Sequence, residues 1–164
     1  MKRCQGDLLA AARRLLAGYG LRVELVRPGE AIPGSFWGDS EAGLIGDTLW
    51  VRPDTPLHSL FHEACHWLCM DQGRRHGLHT DAGGDYDEEN GVCYLQIVLA
   101  TGIPDWGREG MMADMDGWGY SFRLGSAQAW FEQDADDARL WLQTNDLLDS
   151  HGMPTGRYRM CDSG

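Results

Sequence analysis

One segment of the sequence, from Pro56 to about Met70, combines the pattern of a buried helix with two histidines and a glutamate. Apolar residues lie before, within and after its central stretch His62-Glu63-Ala64-Cys65-His66: Leu57, Leu60, Phe61, Ala64, Trp67 and Leu68. Burying histidine and glutamate without partners is costly, so few helices carry them in the core. We therefore expect these three polar residues to have a chemical role.

The spacing of the two histidines indicates a metal site. His62 and His66 are four residues apart, so on a helix they lie on one face about one turn from each other. Glu63 projects from a neighbouring face, where it can contact a water at the metal without being a ligand. Zinc lowers the pKa of such a water to about 7, and Glu63 would accept its proton. The pattern predicts a zinc hydrolase.

A catalytic zinc ion has three protein ligands and one open coordination position. The two histidines supply two of these ligands, so a third must come from elsewhere in the chain. An acidic cluster opens the next predicted helix, which spans about Asp87 to Ala100. Within it Glu88 follows the same 3.6-residue period as Val92, Leu95 and Leu99, so it heads the more apolar stripe. This favours Glu88 as the third ligand. Four further residues stay open as candidates for that ligand: Glu89, Asp85, His79 and His76.

Together the two helices resemble a known family. A His62-Glu63-x-x-His66 helix followed by a helix that begins Glu88-Glu89-Asn90 is similar to zincin metallopeptidases whose third ligand is a glutamate (gluzincin-like). It is nearest to the short ImmA/IrrE-like metallopeptidases, in which this second helix begins Glu-Ala-Asn; here Glu89 replaces the alanine. The family's pattern also contains a bulky residue followed directly by a small one. In this sequence Val92 and Cys93 form that pair.

The resemblance covers about residues 35–100. It implies zinc ligands His62, His66 and Glu88, with Glu63 as general base, and a strand hairpin before the first of the two helices. It also implies a protein or peptide substrate, in many family members a repressor or other regulator. The rival hypothesis is a regulatory binding module of zincin fold that holds zinc, or has lost it, and cleaves nothing.

Several neighbouring residues could extend or replace the proposed ligand set. His58 continues the row of His62 and His66, but three stacked histidines cannot all reach one ion, so His58 is expected to support the ligands from behind or to lie at the rim. Cys65 and Cys69 are predicted to be core thiols. A third histidine of the collagenase type is excluded because Gln72 stands at its position. The residue that stabilises the oxyanion stays open among five candidates: Tyr94, Tyr120, His151, Tyr158 and Arg157.

The predicted fold is α+β in one domain spanning residues 1–164. Asp7 is expected to cap a first helix, and Asp54 or Thr55 to cap the helix that carries the histidines. Ser126 is expected to cap a last long helix, and residues from about 150 onward to form a loose tail. Between the first two helices we expect a small, mostly antiparallel sheet, with strands near residues 21–26, 35–37, 42–45 and 48–51.

The formal net charge of -11 argues against a nucleic-acid partner, because phosphate binding needs clustered Lys and Arg. No apolar run approaches the roughly 20 residues of a membrane span. Five cysteines, an odd number, and no visible export signal favour reduced thiols and a cytoplasmic location.

Overall fold

The computed structural model describes residues 1–35, 40–76 and 85–160, and for residue 76 the backbone alone. Its helices and strands confirm the α+β class. In chain order they are α1 (Gly6–Ala17), β1 (Arg22–Leu25), β2 (Gly43–Ile45), β3 (Thr48–Val51), α2 (Leu57–Cys69), α3 (Gln72–His76), α4 (Tyr86–Leu99), α5 (Gly107–Trp118), α6 (Ala127–Gln133) and α7 (Asp136–Thr144), with short 3-10 turns at Ala100–Gly102 and Arg123–Gly125.

The three strands form a mixed sheet in the order β1-β3-β2, so the expectation of a mostly antiparallel sheet is corrected. β2 and β3 form the predicted antiparallel hairpin, in which Gly46 has a φ of +60° that favours glycine in the turn. β1 instead lies parallel to β3, with Val23 opposite Leu49. The long connection after β1 makes this possible, since parallel strands need a crossover rather than a tight turn. Of the strand predicted at residues 35–37, only Ser35 lies within the described residues, and it is not in a strand.

The helix that carries the histidines begins and ends within one residue of its predicted bounds, and it packs between the sheet and α4. Its N-terminal cap differs from the prediction: Pro56 occupies the cap position and no side chain caps the helix. Thr55 uses its hydroxyl to accept a hydrogen bond from the backbone of Arg52 instead, at 2.9 Å. Asp7 likewise lies in the first turn of α1, which begins at Gly6.

The C-terminal third differs most from expectation. Ser126 caps a helix as predicted, accepting from the backbone N–H of Ala129 at 3.1 Å. The long helix is broken into α6 and α7, because Asp134 and Ala135 leave helical backbone geometry. Residues 150–160 are not loose: the backbone N–H of Arg159 donates to the carbonyl of Leu68 on α2 at 2.8 Å. The prediction of a loose tail is therefore wrong as far as residue 160.

The described part of the chain contains no helix with the length and apolar character needed to cross a membrane.

Gly91 on α4 lies where α7 packs so closely that no side chain fits. A Cβ on Gly91 would lie 2.8 Å from the ring of Trp141 on α7. Gly91→Ala should therefore lower the free energy of unfolding by about 1–2 kcal/mol, since overpacking outweighs the gain in helix propensity. On α5 a Cβ at Gly117 would meet nothing closer than 3.7 Å, so Gly117→Ala should be neutral or stabilising by up to about 1 kcal/mol. Urea unfolding compares the pair, and equal stabilities would contradict the packing of α7 on α4.

Candidate metal centre

α2 brings its two histidines together as the i, i+4 spacing predicts. The imidazole rings of His62 and His66 have centroids 4.7 Å apart, and their Nε2 atoms face each other at 3.1 Å. The His66 side chain is buried, whereas His62 is partly exposed at the edge of the site. Two ring nitrogens turned to one point form two of the ligands that a metal needs.

Glu89, in the first turn of α4, completes the group. One carboxylate oxygen lies 3.3 Å from Nε2 of His62 and the other lies 3.3 Å from Nε2 of His66. One ligand atom from each of the three residues lies within 4.8 Å of the others, so the group could hold a metal ion. Bonds of about 2.0–2.1 Å in a tetrahedral zinc site place neighbouring ligand atoms about 3.3 Å apart, and the two histidine Nε2 atoms, 3.1 Å apart, are close to that separation.

Glu88, which the sequence favoured as the third ligand, does not lie with the histidines; the group that could hold a metal ion contains Glu89 in its place. The side chain of Glu88 is buried, but it meets two guanidinium groups. Its oxygens accept from Arg74 at 2.9 and 2.6 Å and from Arg159 at 3.3 Å. The helical period correctly predicted that Glu88 points inward. It could not show that arginines, rather than histidines, lie opposite.

Asp85 is engaged by the backbone of α4 and not by the histidines. It is the N-cap of the helix and accepts from the backbone N–H of Glu88 at 2.8 Å. Two more of the predicted ligand candidates, His79 and the side chain of His76, lie outside the described residues. Cys65 and Cys69 are buried free thiols whose pKa is raised by burial, as expected of core cysteines.

Gln96 orients His62, although it was not among the residues predicted for the site. Its side-chain carbonyl lies 2.7 Å from Nδ1 of His62. Since that oxygen can only accept, Nδ1 carries a proton, and in the neutral ring Nε2 is the nitrogen that has a lone pair for a metal. Gln96 is fully buried on α4, seven residues after Glu89. In the sequence, Gln96 lies on the same helix stripe as Glu89. This polar residue was the signal that could have favoured Glu89 over Glu88 as the residue facing the histidines.

The charges at the centre favour a cation. Burial lowers the pKa of His62, but the hydrogen bond and charge of Glu89, with smaller effects of Glu63 and Gln96, raise it above the usual value. Burial raises the pKa of Glu89, yet the two histidines hold it below the usual range. Glu89 thus keeps its negative charge because positive charge lies close to it. A bound metal ion would supply positive charge at the same place.

Tyr120 lies over this centre and is held by His58. The rings of Tyr120 and His62 pack edge to face at 5.6 Å, and the Tyr120 hydroxyl is 3.1 Å from Nδ1 of His58. Burial lowers the pKa of His58 to about 4, with a smaller effect from His62, so it is neutral at pH 7. Burial also raises the pKa of Tyr120, and the charge of Glu63 contributes, so the phenol stays protonated. His58 is buried and therefore does not lie at the rim; it contacts Tyr120 behind the group of His62, His66 and Glu89.

The remaining candidates for stabilising the oxyanion have contacts elsewhere. Tyr94 stacks on Phe131 with centroids 4.5 Å apart, and Tyr158 packs against Trp67 at 5.1 Å. His151 is exposed, and Arg157 pairs with Asp146. Within the described ranges Tyr120 is the one candidate of the five whose ring contacts a histidine of the centre.

No protein-family model, curated protein or solved structure matches the chain. The resemblance to zincin metallopeptidases therefore rests on the residues of the two helices and on the arrangement of His62, His66 and Glu89.

The two adjacent glutamates of α4 should behave differently when removed. Glu89→Ala should weaken zinc binding strongly with little change in the stability of the metal-free protein, because it deletes a ligand at the edge of the site. Glu88→Ala should lower the free energy of unfolding by about 3–5 kcal/mol, because it leaves buried guanidinium charge uncompensated, while the folded fraction still binds zinc.

The two properties are measured separately, by zinc titration against a competing chelator and by urea unfolding in EDTA. Loss of zinc from a stable Glu88→Ala protein, together with full zinc in Glu89→Ala, would return the third ligand to Glu88.

Proposed function

We propose that the protein is a zinc-dependent metallopeptidase of zincin type that hydrolyses a peptide bond in a protein or peptide substrate. The observation that carries the proposal is the convergence of His62, His66 and Glu89 on one point, with Glu63 next to the first of them. A regulatory protein is the substrate that the family resemblance suggests.

His62, His66 and Glu89 would hold the zinc, which as a Lewis acid would make water more acidic and polarise the scissile carbonyl. Glu63 is partly buried, and its charge is close enough to His62 and Tyr120 to raise the pKa of both. A carboxylate there can accept the proton of the attacking water and then donate it to the leaving amine nitrogen. Gln96 keeps the ring of His62 in the orientation that this arrangement needs.

Tyr120 supplies the hydrogen bond to the oxyanion in this proposal. Its ring packs on His62 and its hydroxyl is protonated, and neutral His58 can donate from Nδ1 to the phenol oxygen. The phenol proton is then available for the substrate oxygen. A donor that is already held in place gives most of its stabilisation as charge develops on that oxygen.

The first test concerns the metal and the general base. The wild type should hold about one zinc per chain, and His62→Ala should lose most of it. Glu63→Gln should keep both the zinc and the fold but abolish hydrolysis, because an amide cannot accept the water's proton. Metal analysis and thermal unfolding of the three proteins check the first part.

For the second part, Glu63→Gln serves as a trap. A protein that co-purifies with this variant and is cut by the wild type supports the enzyme. A partner that both proteins bind and neither cuts would instead establish a binding module without hydrolytic activity.

Tyr120→Phe tests the hydrogen-bond donor. Removing the hydroxyl should lower kcat by about 10- to 1000-fold and change KM little, since the lost bond acts mainly in the transition state. Zinc content should not change. Tyr94→Phe is the matched control, because that ring stacks on Phe131 away from the centre. Equal activity of the two variants would remove Tyr120 from the mechanism.

A further inference from the structure

A cavity of about 230 Å³ lies beside the metal centre, between the first turns of α4 and the segment that follows Tyr120. Its floor is aromatic, formed by Phe122 and the buried ring of Trp130, and Tyr86 lies at its mouth with 73% of its surface exposed. The carboxylates of Asp87 and Asp137 line the wall. The mechanism proposed above uses none of these residues.

A series of ring contacts joins the cavity to the centre. The ring of His62 packs on Tyr120 at 5.6 Å, Tyr120 stacks on Phe122 at 6.2 Å, and Phe122 stacks on Trp130 at 5.0 Å. From His62, two ring-to-ring steps therefore reach the cavity floor. An extended peptide advances about 3.3 Å per residue, so a substrate residue roughly two to four positions from the scissile bond can reach this floor.

The charged residues that line the cavity favour a cationic ligand. Arg123 is the cation of the wall, but Asp134 engages it through two hydrogen bonds of 2.7 Å each. Asp87 and Asp137 take part in none of the ion pairs that the structure describes. The cavity wall thus has two carboxylates in excess, next to the aromatic side chains of Phe122 and Trp130.

We propose that this cavity is a specificity pocket for a lysine or arginine side chain of the peptide substrate. The inference rests on the proposed function and adds a substrate class to it. The apolar stem of such a side chain packs on Phe122 and Trp130, while its charged end reaches Asp87 and Asp137. The net charge of -11 also attracts basic segments of a substrate to the protein.

Quenched fluorogenic decapeptide mixtures test the pocket. They differ only at one fixed position, which carries lysine, norleucine or glutamate and is moved stepwise along the peptide. Norleucine keeps the four-carbon stem and removes the charge. At one or two positions the wild type should prefer lysine over norleucine by about tenfold in kcat/KM, and glutamate should be the poorest.

Two adjacent aspartates provide a matched pair of variants. Asp137→Asn should reduce the preference for lysine to about threefold or less, whereas Asp136→Asn should leave it unchanged. Both aspartates are exposed and both variants change the net charge equally, but Asp137 lines the cavity and Asp136 does not. An equal effect of the two, or equal cleavage of the lysine and norleucine peptides by the wild type, would overturn the pocket and leave the proposed hydrolysis standing.

Binding to the Glu63→Gln protein separates the two proposals. The lysine peptides should shift the NMR signal of the Trp130 indole N–H, and the norleucine peptides should do so at least about tenfold more weakly. Such binding without any cleavage by the wild type would support the pocket and contradict the peptidase. Absence of both binding and cleavage would overturn the pocket.

Discussion

The buried contact between Glu88 and two arginines determines how the first turn of α4 is oriented. Arg74 comes from α3 and Arg159 from the C-terminal segment, and both reach the same carboxylate. Consecutive residues of a helix point about 100° apart. With Glu88 fixed towards the arginines, Glu89 is directed towards His62 and His66. The position of Glu89 beside the two histidines thus depends on an ion pair that does not touch them.

The same contact explains why the C-terminal segment is ordered. Arg159 donates to Glu88 and to the backbone carbonyl of Cys69, while its own backbone is bonded to Leu68. Arg75 adds a further link, since its guanidinium bonds to the carbonyl of Arg159 at 2.9 Å. The end of α2, the start of α4 and the segment before residue 160 are therefore held by one network of buried hydrogen bonds, which low local dielectric makes strong.

The candidate metal centre adjoins this network, since Glu88 and Glu89 are consecutive residues of α4. Two side chains of this site are held by hydrogen bonds: Gln96 holds His62, and His58 holds Tyr120, which packs on His62. Such supporting contacts set the direction of lone pairs and protons, and these directions decide what chemistry a group of three ligands can perform. The ring contacts from Tyr120 through Phe122 to Trp130 then connect this group to the cavity that Asp87 and Asp137 line.

Local patterns in the sequence determined the helix of His62 and His66, the spacing of its two histidines, the β2–β3 hairpin and the cap at Ser126. All of these depend on residues within a few positions of one another. The assignment of Glu89 rather than Glu88, the parallel pairing of β1 and the order of residues 150–160 depend on contacts between distant segments. Hydrophobic period shows only that a side chain points inward. Which partner it meets there is set by how the helices pack, and only the tertiary structure decided that Arg74 and Arg159 face Glu88.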